Sequence, residues 1–186
     1  VMTWDTSPDN TNLATITEAS LGVYAQNETA IYRCPSDHAL SLMQRAAGWT
    51  ARIRSYSMNA MIGNAGDFTA NGYNVNNPDY VQFFKITQIP HPSEIFVFLD
   101  EHPDSIDDGY FVNHAYSWQW TDLPASYHNN AAAFSFADGH SALHRWTAPS
   151  TIRPPFPDAA GLPISIPHSD WGDFQWVISH MSIESD

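Results

Sequence analysis

The longest unbroken apolar run in the middle of the chain is Ile95-Phe96-Val97-Phe98-Leu99, ending at Asp100. A short continuous run of this kind predicts a strand buried on both faces, hence a central one. A second apolar run, Ala131 to Phe136, leads into Asp138-Gly139 and then an alternating segment, His140 to Trp146. Asp-Gly between two strand-forming runs predicts a hairpin, because glycine takes positive φ without steric cost. The strands are expected over 132–137 and 140–146, with Phe134 and Phe136 on one face. Segment 51–59, ARIRSYSMN, alternates and predicts another strand. Residues 31–33 read as a short strand or an extended approach to Cys34-Pro35.

Three helices are expected. One covers residues 17–24, where Leu21 and Tyr24 are three apart. The second covers 38–47, capped at Ser36-Asp37 and ending before Gly48. The third spans 170–178, with Trp171, Phe174 and Ile178 on one face. Residues 60–80, rich in Asn and Gly, read as loop. Six prolines between 147 and 170 exclude a long helix or a central strand and predict an extended strap. The expectation is an α+β fold on an antiparallel sheet. A globular part covers 1–146, and a proline-rich extension, 147–186, packs on the same domain.

Composition narrows the partners. The 186 residues are 43% hydrophobic and 13% aromatic, enough for a core, but only 15% charged. Net charge is −13 and Lys85 is the sole lysine. Phosphate binding relies on Lys and Arg, so nucleic acid is excluded as a partner, and attraction to anionic lipid is disfavoured. No apolar run reaches membrane-spanning length. Cys34 is the single cysteine and forms no internal disulfide. It reads as a small buried apolar residue, with His38 the nearest base in sequence for a nucleophile.

Three constellations carry candidate chemistry. Asp100, Glu101, Asp104, Asp107 and Asp108 put five carboxylates in nine residues. Such a loop suits a hard cation such as Ca²⁺, although it lacks the EF-hand pattern; the alternative is a solvated acidic turn. The second group is His102, His128, Asp138 and His140 with Asp100. These ligand types suit Zn²⁺ or a similar metal. The alternative is a structural clamp in which His128 and Asp138 bond each other. The metal candidates are therefore Asp100, His102, Asp104, Asp108, His128, Asp138 and His140. The third is aromatic: Trp118, Trp120 and Tyr127 beside Asn, Asp and Gln would grip a carbohydrate if exposed, and would be core if not. Asp100, Glu101, His128 and Asp138, with Asp104, are the catalytic candidates for a hydrolase acting on polysaccharide or ester. Ser126 and Ser135 lack a G-x-S-x-G elbow.

Several of these segments also carry a resemblance. His128, nine residues, then Asp138-Gly139 matches an H-x9-DG spacing. Upstream stand Cys34-Pro35-Ser36-Asp37, Arg54-Ser55-Tyr56-Ser57-Met58-Asn59, Pro92-Ser93 followed by Asp100-Glu101-His102-Pro103-Asp104-Ser105, and Pro124-Ala125-Ser126-Tyr127-His128. In this order they resemble the pseudopilin-like H-x9-DG proteins with a prepilin-type N-terminus, of the planctomycete and verrucomicrobial type. The resembling segments together span roughly residues 9–146, most of the chain. It implies a pseudopilin-like head domain and a periplasmic, cell-surface or secreted location. It further implies a non-catalytic role, by binding or assembly with envelope components, in a type II secretion or type IV pilus-related system. Bacterial pseudopilins that hold Ca²⁺ in a loop lend the acidic segment an analogy. Members begin with a basic leader and an apolar helix. This chain opens at Val1-Met2-Thr3-Trp4, which reads as the interior of such a protein, so the helix is expected to be missing. The sheet would then expose an apolar face unless self-association or the strap covers it.

Overall fold

The computed structural model describes residues 2–185, so the opening Val1 lies outside the described residues. The elements in order are α1 (Ala14–Thr17), α2 (Leu42–Ala46), β1 (Tyr56–Asn59), β2 (Thr69–Ala70), β3 (Tyr73–Asn74), β4 (Phe96–Asp100), β5 (Tyr110–Phe111), β6 (Gln119–Trp120), β7 (Ala131–Phe136), β8 (Ser141–Arg145), β9 (Ile164–Ser165) and α3 (Trp171–Met181). Short 3₁₀ turns join several of them. The fold is α+β and mostly antiparallel. A five-stranded sheet runs β5-β1-β4-β7-β8, with small β2-β3 and β6-β9 ladders beside it. One pair departs from the expected antiparallel order, since β1 and β5 run parallel.

β4 is the central strand, as its apolar run predicts, but its burial is one-sided. Phe96, Leu99 and Asp100 are buried, whereas Val97 and Phe98 are half-buried. A β-bulge causes this. Phe96 pairs with Phe136, yet Phe98 pairs with Ser135, so Val97 is an extra residue on β4. The bulge breaks the two-residue alternation. Phe96 turns into the core, while Phe98 and Asp100 go to the opposite face with Met58 and Tyr56, their respective partners on β1. On the core face Phe96, Leu99, Phe134 and Phe136 meet Phe174, Val177, Ile178 and Met181 of α3, together with Trp120 and Trp146. The strap adds Ala160, Ile164 and Ile166 to that same core and is pinned by the β6-β9 ladder.

The hairpin forms where Asp138-Gly139 places it, with a longer loop than expected. Ala137 donates to Ile95 O at 2.9 Å, outside the hairpin, and Phe136 pairs with His140 O. A three-residue loop remains, and Gly139 supplies its left-handed position at φ 94°. Other expectations shift. The strand expected over 51–59 is regular only from Tyr56. Ahead of it, Ile53 and Ser55 donate to Asn10 O and Tyr32 O, and Arg52 lies over the Trp4 ring at 4.4 Å. The helix expected over 38–47 shortens to 42–46. Its cap is Ser41, which exchanges side-chain and backbone bonds with Gln44 in a capping box. The helix expected over 17–24 occupies 14–17 and gives way to turns. The 60–80 loop contains a tight β2-β3 hairpin around Asn71 and Gly72, both at positive φ. α3 runs from Trp171 to Met181 and buries Phe174 and Ile178, as its pattern predicts.

Candidate functional site

β4 delivers consecutive carboxyls to opposite sides. Asp100 emerges on the Phe98 face with no solvent exposure. Its Oδ2 lies 3.1 Å from His128 Nε2 and accepts the Ala133 N–H at 3.2 Å. The same His128 Nε2 lies 3.3 Å from Cys34 Sγ. Cys34 is 1% exposed and sits in the extended turn before Pro35. Its N–H is tied to Ser55 Oγ at 2.5 Å. The Tyr56 phenol borders both Cys34 and Asp100. Sγ, Nε2 and the carboxylate oxygen all lie within 4.8 Å of one another, the single such grouping of His, Cys, Asp or Glu among the described residues.

Burial sets the electrostatics. It pushes the Asp100 carboxyl up, and bonds from Ala133 N–H and His128 pull it back. Burial, followed by the Asp100 charge, pushes the Cys34 thiol up. Burial and then Asp100 and Cys34 raise the Tyr56 phenol. The Oδ1 atom of Asp100 is buried without a hydrogen-bond partner.

The remaining candidates separate. Antiparallel pairing of β4 with β7 places Asp100 and Asp138, each at the C-terminal side of its strand, at opposite ends of the sheet. The expected His128–Asp138 clamp is therefore absent. Asp138 instead meets His140 Nδ1 at 2.6 Å on the exposed hairpin tip. Both its backbone and side-chain bonds from His140 hold the Asp138 carboxyl below its usual value. His102 is fully buried; its Nε2 reaches Pro154 O at 3.1 Å and its Nδ1 accepts the Asp104 N–H. Asp104 accepts from Trp4 Nε1, Asp158 N and Ala160 N, which anchors the strap. Asp108 Oδ1 accepts the Tyr110 N–H at 2.7 Å. Glu101 is buried beside Asp122, with burial the main force raising its carboxyl. Asp104, Asp107 and Asp108 thus accept separate structural bonds, both Glu101 oxygens are buried without a hydrogen-bond partner, and the stretch does not converge on one cation. The four carboxyls proposed for hydrolysis, Asp100, Glu101, Asp104 and Asp138, share no hydrogen-bond partner.

The aromatic set also disperses. Trp120 is fully buried in the core, so it offers no platform to a sugar. Trp118 stacks on Trp171 at 3.8 Å and borders a shallow cleft of about 270 Å³. Tyr127 is half-buried and its neighbours are Asp37 and Arg52.

A further concavity lies on the Phe98 face. It is a groove of about 550 Å³ whose floor is Tyr56, Phe98, Ala133, Ser135 and Ser141 and whose wall includes Leu21, Tyr24 and Ile31. Register places Leu143 on this face opposite Ala133, with 62% of its surface exposed. Val23, Tyr24 and Ile31 are 71%, 84% and 59% exposed. A monomer that leaves this much apolar side chain gathered at one place presents a contact surface. Sequence reasoning foresaw an uncovered apolar face but did not identify these residues. It also missed Cys34 and Tyr56 as neighbours of Asp100 and His128. Comparisons with protein-family models, with curated proteins and with solved structures each returned no match.

Proposed function

We propose that this protein is a non-catalytic, pseudopilin-like binding module of a cell-envelope secretion or pilus-type assembly, and that it works by seating an apolar helix in the groove over Phe98. The observation that carries the reading is the half-buried sheet face of Tyr56, Phe98 and Ala133, with exposed Leu143 beside it, opposite a sheet face that α3, Trp120 and Trp146 close. A groove of this volume with an apolar floor takes helix side chains at i, i+3, i+4 and i+7 spacing. The strap packs into the core on the opposite face. The ordered motifs around His128, Asp138 and Gly139 favour the same reading. Among the described residues no helix is long and apolar enough to cross a membrane. The dispersed carboxyls favour binding over hydrolysis.

The test is a titration with an environment-sensitive hydrophobic dye. The protein is expected to enhance its fluorescence, and Phe98→Asp to lower the enhancement severalfold with an unchanged circular-dichroism spectrum. A wild-type protein that leaves the dye dark would contradict the reading.

A further inference from the structure

We propose that Cys34, Asp100 and His128 form a mononuclear site for a borderline-soft divalent cation of the Zn²⁺ class, with one coordination position left open. The proposal stands independently of the groove and its occupant.

The first argument is the atom that is shared. Cys34 Sγ and Asp100 Oδ2 approach the same ring nitrogen, His128 Nε2, at 3.3 and 3.1 Å. A hydrolytic triad needs the two ring nitrogens for different tasks, one toward the nucleophile and one toward the carboxylate. This geometry therefore excludes a triad. One nitrogen carries either a lone pair or a proton. As a lone pair it faces a carboxylate oxygen that can only accept; as an N–H it must be divided between oxygen and sulfur. A cation within reach of all three donors resolves the conflict, because each donor directs a lone pair at the ion.

The second argument is the spacing. Tetrahedral Zn²⁺ with ordinary bond lengths to sulfur, nitrogen and oxygen sets its donors about 3.3–3.6 Å apart. The separations of 3.3 and 3.1 Å fall short of that by only a few tenths of an ångström, and all three donor atoms lie within 4.8 Å of one another. The third argument is burial. Asp100 is fully buried, and its Oδ1 has no partner. An unpaired buried carboxylate oxygen is costly, and a neighbouring cation offsets that cost.

The donor set selects the metal. Thiolate and imidazole favour Zn²⁺ and its neighbours, whereas Ca²⁺ requires six to eight oxygens. Three protein donors leave the fourth position for water or for the bordering Tyr56 oxygen. His128, with a 26% exposed side chain, faces the solvent side. On loading, the Cys34 thiol gives its proton to buffer and its sulfur coordinates as thiolate. The ion then joins three segments far apart in the chain: the Cys34 turn, the end of β4 and the loop before β7.

The experiment uses the full chain, stripped with a chelator and titrated calorimetrically with Zn²⁺ and with Ca²⁺. Co²⁺ loading is followed by absorption. The expected result is one equivalent of Zn²⁺, no competition from millimolar Ca²⁺, a raised melting temperature, and a thiolate-to-cobalt charge-transfer band. Cys34→Ser and His128→Ala are each expected to weaken Zn²⁺ more than about 100-fold. Asp138→Asn and His140→Ala, at the exposed hairpin pair, are expected to leave it unchanged. Should the site variants fail to fold, the cobalt band of the wild-type protein decides alone. Absence of stoichiometric binding, or a Co²⁺ complex with no thiolate band, overturns the proposal.

Discussion

The two faces of the five-stranded sheet are built from neighbouring residues of the same strands, and they end in different states. On one face Phe96, Leu99 and Phe134 are at most 2% exposed, closed over by α3, Trp120 and Trp146. On the other, Tyr56, Phe98 and Ala133 stay half-buried under a thin wall of turns. Hydrophobicity alone does not separate them, since Phe96 and Phe98 are the same residue two positions apart. The difference lies in what is supplied to cover each face. α3 brings a row of apolar side chains at helical spacing, whereas residues 18–27 form turns and leave Val23 and Tyr24 in solvent. A closed face stabilises the fold, and an open one is available for recognition.

Large-to-small substitution separates the faces most sharply. Phe134→Ala removes a ring that meets Phe96, Phe136, Trp146 and Trp176. It is expected to cost about 3–5 kcal/mol in chemical denaturation. Phe98→Ala is expected to cost about 1 kcal/mol, because much of that ring is already hydrated. Equal losses at the two positions would erase the distinction.

The next effect concerns a carboxyl near the edge of the sheet. Burial pushes Asp122 up to about 7, Asp108 and Asp107 add to the rise, and the Val112 N–H opposes it. The folded protein therefore holds a proton that the unfolded chain releases near its ordinary value of 3.8. Stability from this group is complete below about pH 4 and is lost as pH rises toward 7. The expected loss is roughly 2–4 kcal/mol across that window. Asp122→Asn keeps an acceptor for Val112 N–H and is expected to flatten the profile, read from melting temperatures at successive pH values. A profile that rises with pH, or one that the variant leaves unchanged, would contradict this assignment.

The smallest effect tests the hairpin that carries Leu143. Gly139 stands at φ 94°, and an added Cβ there meets nothing within 4 Å. Gly139→Ala should therefore cost only the backbone term, roughly 1 kcal/mol, with the groove's dye binding retained.

Much of the closed face was legible in the sequence. The apolar run at 95–99, the Asp-Gly turn and the spacing of Trp171, Phe174 and Ile178 are local signals, and each fixes its own element. The open face depends on the bulge at Val97, a long-range pairing event with no local signature. Without it, Phe98 would share the core with Phe96. Two turn signals were present but outweighed by composition: Ser41 with Gln44, a capping-box spacing, and Asn71-Gly72, an I′-type pair. The candidate site was legible only in part. Asp100 and His128 stood among the metal candidates, but Cys34 is 94 positions from His128, and no period or spacing joins them. His102, Asp104 and Asp138 looked equivalent to Asp100 in sequence. The fold distinguishes them by giving the first two to the strap and the third to solvent.

The most direct test of the open face as a binding surface is isothermal titration of a synthetic apolar helical peptide, repeated at several temperatures. Burial of the groove predicts saturable binding with a negative heat-capacity change, lost in Phe98→Asp. Binding that Phe98→Asp leaves intact, or no heat at any temperature, would contradict it.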